Sequence, residues 1–169
     1  KKLGIEQGFY DDLILIDDFD VYRNLPHKVQ AAYTWGVQHT QAQWFIKVDD
    51  DQVVRVALLE QMLEASYKHS ESKHVVLGCI GKGLALKKGG KWAEVNYKEK
   101  VYPRFPLGSC SHTVSRPIAQ YVASKRDLFH YQGEDTSLGI WLHEAPFRDQ
   151  VQFVEVGKQW VSMNGDCRD

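Results

Sequence analysis

Three consecutive acidic residues, Asp49, Asp50 and Asp51, follow directly after the apolar run at 44–48. Their carboxylates repel one another, so the arrangement is unfavourable unless a counter-charge lies nearby. Hard divalent cations such as Mg²⁺ and Mn²⁺ prefer oxygen ligands. Because ligands of open α/β sheets bind beyond the carboxyl ends of the strands, we expect a metal or phosphate role here rather than a solvated acidic turn.

Two chemistries use carboxylates in this layout. In the first, the acids hold a metal ion that bridges the phosphates of a nucleotide diphosphate. In the second, Asp49 is the nucleophile of a phosphatase of the haloacid-dehalogenase kind, followed by Asp51 and Val53. The phosphatase chemistry also needs a downstream acidic pair to hold Mg²⁺, and the candidate pair is Glu134 with Asp135.

This acidic pair, Glu134 and Asp135, follows Gly133 and opens a predicted helix at residues 134–143. Acids in a first turn commonly do no more than complement the positive end of the helix dipole. The functional interpretation is a general base that activates an acceptor hydroxyl. Gly133 lets the backbone turn sharply and leaves room for a ligand.

Lysines and one tryptophan are weaker candidates. Lys28, on the first predicted helix, could contact a phosphate, although a single helical lysine is usually solvated. Trp92 could stack on a sugar ring, although a single tryptophan is more often part of a core. The lysines of the neighbouring loop are predicted to form a solvated surface: Lys82, Lys87, Lys88 and Lys91. The histidines show neither H-x-H nor H-E-x-x-H spacing, so none is predicted to bind a metal.

The elements that must position these residues alternate along the chain. Short apolar runs predict strands at residues 12–17, 44–48, 74–80, 91–95 and 151–156. Helical spacing predicts helices at 24–39, 58–67, 115–125 and 134–143, with Asn24 and Ser115 as caps. Residues 81–90 and 102–108 are predicted loops because of their Gly and Pro content. Alternating strands and helices favour an α/β sheet covered on both faces.

Composition narrows the class of protein. The 169 residues are enough for one domain with a hydrophobic core, and the net charge of −1 gives no sign of nucleic-acid binding. No apolar run approaches the ~20 residues of a transmembrane helix. Three cysteines without a C-x-x-C pair exclude a dense disulfide framework and leave room for one bridge and one thiol. The sequence lacks an initial Met and ends abruptly, so we expect it to be a piece of a longer protein.

Several motifs, in order along the chain, resemble those of glycosyltransferase family 31, the inverting β-1,3-glycosyltransferases. Residues 45–51 resemble the K-x-D-D-D metal motif, and residues 133–141 are similar to the E-D-V-x-x-G motif. Residues 6–12 resemble the E-x₃-Y-x-D segment, and residues 20–28 the D-x-Y-x-N-L-x-x-K stretch. Lys91-Trp92 and Tyr102-Pro103 match the K-W and Y-P pairs, whereas the glycine-rich segment has fewer glycines here, at 108–115.

The resemblance implies a fold, an activity and a location. The fold would be an α/β, GT-A-like mixed sheet flanked by helices on both faces. Residues 1–169 would be a segment of one catalytic domain, without its N-terminal nucleotide-binding part and membrane anchor. The activity would be Mn²⁺-dependent transfer of galactose or an N-acetylhexosamine from a UDP-sugar to the 3-hydroxyl of an acceptor glycan, with inversion. The protein would be a Golgi or endoplasmic reticulum membrane protein with a luminal catalytic domain.

The resemblance also implies a role for each site residue. Mn²⁺ would be held by Asp49 and Asp51, and substrate would be contacted by Asp49, Asp50, Lys28 and Trp92. Asp135 would be the general base, with Glu134 as its substitute. The family's late metal-binding histidine would lie beyond Asp169, and a luminal location would place Cys167 in a disulfide. The phosphatase and a non-catalytic sugar-binding relative are the alternatives.

Overall fold

The helices and strands are taken from a computed structural model, in which residues 2–68, 72–157 and 160–163 are described. The helices are α1 (Lys2–Tyr10), α2 (Leu25–His39), α3 (Val56–Lys68), α4 (Arg116–Ser124) and α5 (Glu134–His143). The strands are β1 (Trp44–Lys47), β2 (Gln52–Val54), β3 (Val75–Gly78), β4 (Ile80–Gly81), β5 (Phe105–Pro106), β6 (His112–Ser115), β7 (Gln152–Glu155) and β8 (Val161–Met163). Within these described residues, no helix has both the length and the apolar character needed to span a membrane.

The main sheet has four strands in the order β1-β6-β3-β7. Strand β6 is antiparallel to both neighbours, so that Thr113 lies opposite Ile46 of β1 and Leu77 of β3. Strands β3 and β7 are parallel, with Val76 opposite Phe153. Two small sheets join β2 to β8 and β4 to β5. The main sheet is therefore mixed.

Helices cover both faces of this sheet, because successive side chains of a strand point to opposite faces. Val76 of β3 packs into a core with α2, α4 and α5 that includes Trp141. Leu77, the next residue, packs into a second core with Leu59 of α3 and with Trp160. The predicted α/β fold, a mixed sheet flanked by helices on both faces, is confirmed.

The predicted helix starts are confirmed, but their predicted caps act differently. Helices α2 and α4 begin directly after Asn24 and Ser115, and neither side chain caps its helix. The Ser115 hydroxyl instead donates to the carbonyl of Lys73 (2.7 Å) and accepts from the N–H of Val75 (3.0 Å). Asn24 donates to a carboxylate oxygen of Asp18 at 3.0 Å. Ser115 therefore ties a distant segment to a helix start, whereas Asn24 binds the segment just before its own helix.

The predicted strand at residues 12–17 is wrong, because this segment forms no strand. Ile14 and Leu15 are 50% and 53% exposed, and the Leu13 carbonyl accepts from the side chain of Gln7 (3.1 Å). A strand needs a neighbour to satisfy its backbone groups. An apolar run provides no such neighbour by itself.

The predicted strand at residues 91–95 is also wrong. This segment is a folded turn, in which Ala93 donates its N–H to the Gly90 carbonyl (3.1 Å) and Glu94 donates to the Lys87 carbonyl (2.9 Å). Gly90 has a φ of +80°, a conformation that glycine adopts without strain and that reverses the chain here. The predicted loop at 81–90 begins one residue later, because Gly81 ends strand β4, and the predicted loop at 102–108 contains the short strand β5.

Candidate active site

A cleft of about 610 Å³ lies between the end of β1 and the start of α5. Four carboxylates line it, those of Asp49, Asp51, Glu134 and Asp135. Residues of the two predicted acid motifs therefore lie in one site, although they are far apart in the sequence. Much of the remaining lining is aromatic and apolar, and includes Tyr22, Trp92, Tyr102, Phe105 and Leu107.

The acid triplet forms a tight turn that connects β1 to β2. The N–H of Gln52 donates to the carbonyl of Asp49 at 3.1 Å, which closes the turn. Asp49 and Asp51 line the cleft, whereas Asp50 is exposed and is not among the lining residues. The turn therefore brings two of the three carboxylates to the site.

Lys47, the last residue of β1, joins the two acid motifs. Its ammonium lies 2.5 Å from an Asp49 oxygen and 3.0 Å from Oε1 of Glu134. The side chains of Lys47 and Glu134 are only 13% and 8% exposed. Burial alone would lower the pKa of Lys47, but the hydrogen bond to Asp49 and the charge of Glu134 outweigh it and raise the pKa. Lys47 is therefore a fixed positive charge between the motifs.

Asp135 is held by backbone groups instead of a cation. Its Oδ1 accepts from the N–H of Thr136 (2.7 Å), and its Oδ2 accepts from the N–H of Gly108 (3.1 Å). Burial raises the pKa of Asp135, and the neighbouring Glu134 charge raises it further against these hydrogen bonds. A half-buried carboxylate that binds a proton more readily than an ordinary aspartate is suited to general base catalysis.

Two glycines make room for this carboxylate. A Cβ at Gly133 would lie 2.7 Å from Oδ1 of Asp135, which is closer than real contacts allow. A Cβ at Gly108 would lie 3.3 Å from Oδ2. Helix α5 therefore starts where Gly133 leaves space for the Asp135 carboxylate, whereas the sequence predicted that this glycine would leave room for a ligand.

Two aromatic rings and a lysine form one wall of the cleft. The rings of Tyr22 and Trp92 meet edge to face at 5.2 Å, and Trp92 is 43% exposed. The Lys91 ammonium lies 4.2 Å from the centre of the Tyr22 ring and 4.6 Å from that of Trp92. Burial, together with the charges of Glu134 and Asp135, raises the pKa of Tyr22 to about 12. Trp92 is thus exposed in the cleft and available to a ligand.

Lys28 lies outside this lining. Its ammonium forms an ion pair with the carboxylate of Asp20. Lys87, in contrast, lines the cleft. Neither Lys28 nor Asp50 is among the residues that line the cleft. Their predicted contacts with substrate stay predictions.

The carboxylates of the acid triplet are the candidate donors for a divalent cation. Asp49 and Asp51 offer carboxylate oxygens on one turn, the ligands that Mn²⁺ and Mg²⁺ accept. Among the described residues, no group of three or more His, Cys, Asp or Glu side chains is arranged to hold a metal. Mg²⁺-type sites often use one or two carboxylates with substrate phosphates. The residues therefore fit an ion that shares its coordination with a phosphorylated ligand.

Sequence reasoning missed the roles of Lys47, Gly108 and Tyr22. Because side chains two residues apart in a strand point to the same side, strand periodicity could have predicted that Lys47 lies beside Asp49. Gly108 and Tyr22 join the site through the fold, and no local signal marks either of them.

A disulfide lies close to the cleft. Cys79 and Cys110 are bonded, with their Cα atoms 5.9 Å apart. Cys110 ends the short 3-10 helix that begins with Gly108, whose N–H contacts Asp135. Cys167, for which a disulfide was expected, lies outside the described residues, and that expectation stays a prediction.

The fold and the cleft define a class of protein. It is an α/β protein with a candidate ligand cleft between the end of strand β1 and the start of helix α5. The family model described as Galactosyltransferase matches residues 2–150, and the chain belongs to this family. The match includes both acid motifs and confirms the resemblance seen in the sequence. It favours the glycosyltransferase interpretation of the acid motifs over the phosphatase interpretation.

Curated relatives are similar over most of the chain. Human UDP-GalNAc:beta-1,3-N-acetylgalactosaminyltransferase 2 is 34% identical over 139 residues, which is 81% of this chain and 27% of the human protein. The protein of the same name from Danio rerio is 35% identical over 84% of this chain and 28% of its own length. "Probable beta-1,3-galactosyltransferase 1" of Arabidopsis thaliana is 30% identical over 99% of this chain and 43% of its own length. The chain thus spans about a quarter to under half of these relatives.

Proposed function

We propose that the protein containing this chain is a β-1,3-glycosyltransferase. It transfers galactose or an N-acetylhexosamine from a UDP-sugar to the 3-hydroxyl of an acceptor glycan, with inversion at the anomeric carbon. Membership of the Galactosyltransferase family and the names of the relatives support this activity. The single observation that carries it is a half-buried carboxylate, Asp135, that forms no ion pair among the described residues and lies in the same cleft as Asp49 and Asp51.

The proposed reaction is a single displacement. Asp135 accepts the proton of the acceptor hydroxyl while that oxygen bonds to the anomeric carbon and the bond to UDP breaks. Asp135 rather than Glu134 is the base, because Glu134 is already paired with the Lys47 ammonium. The backbone N–H groups of Gly108 and Thr136 fix the orientation of the Asp135 carboxylate.

The proposed cofactor is Mn²⁺, which Asp49 and Asp51 would hold. When bound, such an ion neutralises the negative charge that develops on a departing diphosphate. Lys47 keeps Asp49 in place at 2.5 Å and compensates the negative charge of the paired acids. Trp92, exposed in the opposite wall, offers a face on which the acceptor sugar can stack.

The proposed location is the lumen of the Golgi apparatus or endoplasmic reticulum. The Cys79–Cys110 disulfide supports this location, since such bonds persist in oxidising compartments. A membrane anchor and an N-terminal nucleotide-binding part would belong to the longer protein. A protease-protection assay on microsomes that contain the full-length protein tests the location, and cleavage without detergent would contradict it.

Calorimetry and product analysis on the full-length protein test the function. We expect UDP to bind only with Mn²⁺, and we expect this binding to collapse in Asp51→Ala. The matched control is Asp149→Ala, which removes an acid that is 94% exposed and outside the cleft. With UDP-sugars and acceptor glycans, nuclear magnetic resonance should show a new β-1,3 bond.

Three results would contradict parts of this proposal. Equal UDP binding with and without Mn²⁺ would remove the metal. Binding of UDP without transfer from any donor would favour the non-catalytic sugar-binding relative. Release of phosphate from phosphoesters, with phosphate bound covalently at Asp49, would restore the phosphatase.

A further inference from the structure

Glu94 is a buried acid that the proposed mechanism does not use. It is 5% exposed, and none of the ion pairs between described residues includes it. Burying a carboxylate without compensation is strongly unfavourable. Three backbone N–H groups provide the compensation: Oε1 accepts from Asn96 (2.6 Å) and Tyr97 (3.1 Å), and Oε2 accepts from Gln132 (2.8 Å).

Gln132 returns the connection. It is 5% exposed, and its side-chain amide donates to the Lys91 carbonyl at 2.9 Å. Two segments that are far apart in the sequence are therefore bonded in both directions. We call the side chains of Glu94 and Gln132, with these hydrogen bonds, the clasp.

The clasp joins the two sides of the cleft that the reaction must align. On one side, Trp92, which lines the cleft with the Lys91 ammonium over its ring, lies two residues before the clasp residue Glu94. On the other side, Gln132 directly precedes the segment that carries Asp135. The hydrogen bonds of the clasp therefore connect the segment that carries Trp92 to the segment that carries Asp135.

The chemistry of the position calls for an acid rather than an amide. A carboxylate only accepts hydrogen bonds, so both of its oxygens can face N–H groups. A glutamine would place an NH₂ group against at least one of these N–H donors. That contact is repulsive and leaves a buried donor without a partner.

We propose that Glu94 is a positioning residue, whose carboxylate sets the distance between the aromatic acceptor wall and the general base Asp135. This inference rests on the proposed transferase function. It does not require Glu94 to touch substrate. Because a misplacement of about 1 Å can lower a rate by about 10²-fold, a small shift of this wall would affect turnover.

The test compares Glu94→Gln with Glu99→Gln in the full-length protein. Glu99 lies in the same loop, is exposed, and is not part of the clasp. In Glu94→Gln we expect kcat/KM for the acceptor to fall by about 10-fold to 10²-fold. The affinity for UDP with Mn²⁺ should stay unchanged, because the clasp does not contact Asp49 or Asp51. Glu99→Gln should behave as the wild type.

Hydrogen exchange gives a second measurement on the same proteins. The amides of Asn96, Tyr97 and Gln132 should exchange faster in Glu94→Gln and should be unaffected in Glu99→Gln. A purely structural role would lower Tm while leaving kcat/KM per folded molecule at the wild-type value, and that result would overturn the inference. If the wild-type protein transfers no sugar, the proposed function fails and the inference fails with it.

Discussion

Replacing Asp135 by Asn tests the assignment of the base. The two side chains have nearly the same size, so the cleft keeps its shape. The carboxylate accepts hydrogen bonds from the N–H groups of Gly108 and Thr136, one on each oxygen. An amide can satisfy only one of them through its oxygen, and its NH₂ group cannot take a proton from a hydroxyl. The variant thus loses the base and one hydrogen bond.

The expected effects on rate and stability differ in size and sign. Loss of a general base lowers kcat by about 10²-fold to 10⁴-fold. One backbone N–H left unpaired in this half-buried site costs at most about 1–3 kcal/mol of unfolding free energy. An opposing effect comes from charge: because the folded-state pKa of Asp135 is raised, the ionised form destabilises the fold once the pH exceeds the ordinary value of 3.8. Asn removes this penalty, so the net change in Tm at neutral pH should be smaller than the lost hydrogen bond alone would give.

Steady-state kinetics across pH, with melting curves and UDP calorimetry, separate the possibilities. Wild-type kcat should fall as the pH drops through the folded-state pKa of Asp135, which lies above 3.8 because of burial and the charge of Glu134. Asp135→Asn should lack this dependence and still bind UDP. Asp149→Asn, at an exposed acid, is the control and should be unaffected. Glu134→Gln should lower kcat less. A near-normal kcat in Asp135→Asn would refute the assignment and leave both acids as helix-stabilising residues.

Three further substitutions test the packing around the cleft. Lys47→Met leaves Glu134 buried without its cation and should lower the free energy of unfolding, measured with urea, by about 3–5 kcal/mol. Adding Glu134→Gln should restore part of this free energy. No loss would show that the pair is dispensable. Cys79→Ser opens a disulfide with a sequence separation of 31 and should cost about 3–4 kcal/mol, measured under identical non-reducing conditions. An unchanged Tm would contradict this. Gly139→Ala places a Cβ 2.4 Å from the Cβ of Phe105 and should lower the free energy of unfolding by about 1–3 kcal/mol. An unchanged free energy of unfolding would show that β5 can shift to make room, and would contradict this expectation.

The elements that sequence reasoning predicted correctly have a signal within their own residues. Helix α5 combines two acids, a preceding glycine and an apolar run, and it spans Glu134–His143 as predicted. Strand β1 is a short apolar run that packs on both faces, with Trp44 in one core and Phe45 in the other. Such signals need no knowledge of the rest of the chain.

The elements that were missed depend on distant partners. Strand β6 lies between β1 and β3 in the main sheet, yet it reads His112-Thr113-Val114-Ser115, a mostly polar segment. Its strand conformation comes from pairing on both sides. Strands β2 and β8 stabilise each other in the same way, and α1 has little apolar periodicity. The opposite error occurred at residues 12–17, where apolar residues have no neighbouring strand.

The acids of the site were predictable in position because each follows or opens a regular element. Asp49 and Asp51 come after β1, and Glu134 and Asp135 begin α5, so each pair was located within its own element, whereas their meeting in one cleft depends on the fold. Their environments were not predictable. The contact of Gly108 with Asp135 depends on how the segment after β5 turns, which only the fold determines.

Glu134 and Asp135 show how adjacent acids acquire different tasks. They occupy neighbouring positions in the first turn of α5, where the helix dipole favours both as anions. Glu134 forms an ion pair with Lys47, and this pair holds β1 to α5. Among the described residues, the Asp135 carboxylate accepts from backbone N–H groups, and burial together with the Glu134 charge raises its pKa. When two neighbouring carboxylates lie in different environments, the difference indicates which of them can act as a base. The lysine at the end of β1 therefore determines which of the two acids remains available to accept a proton.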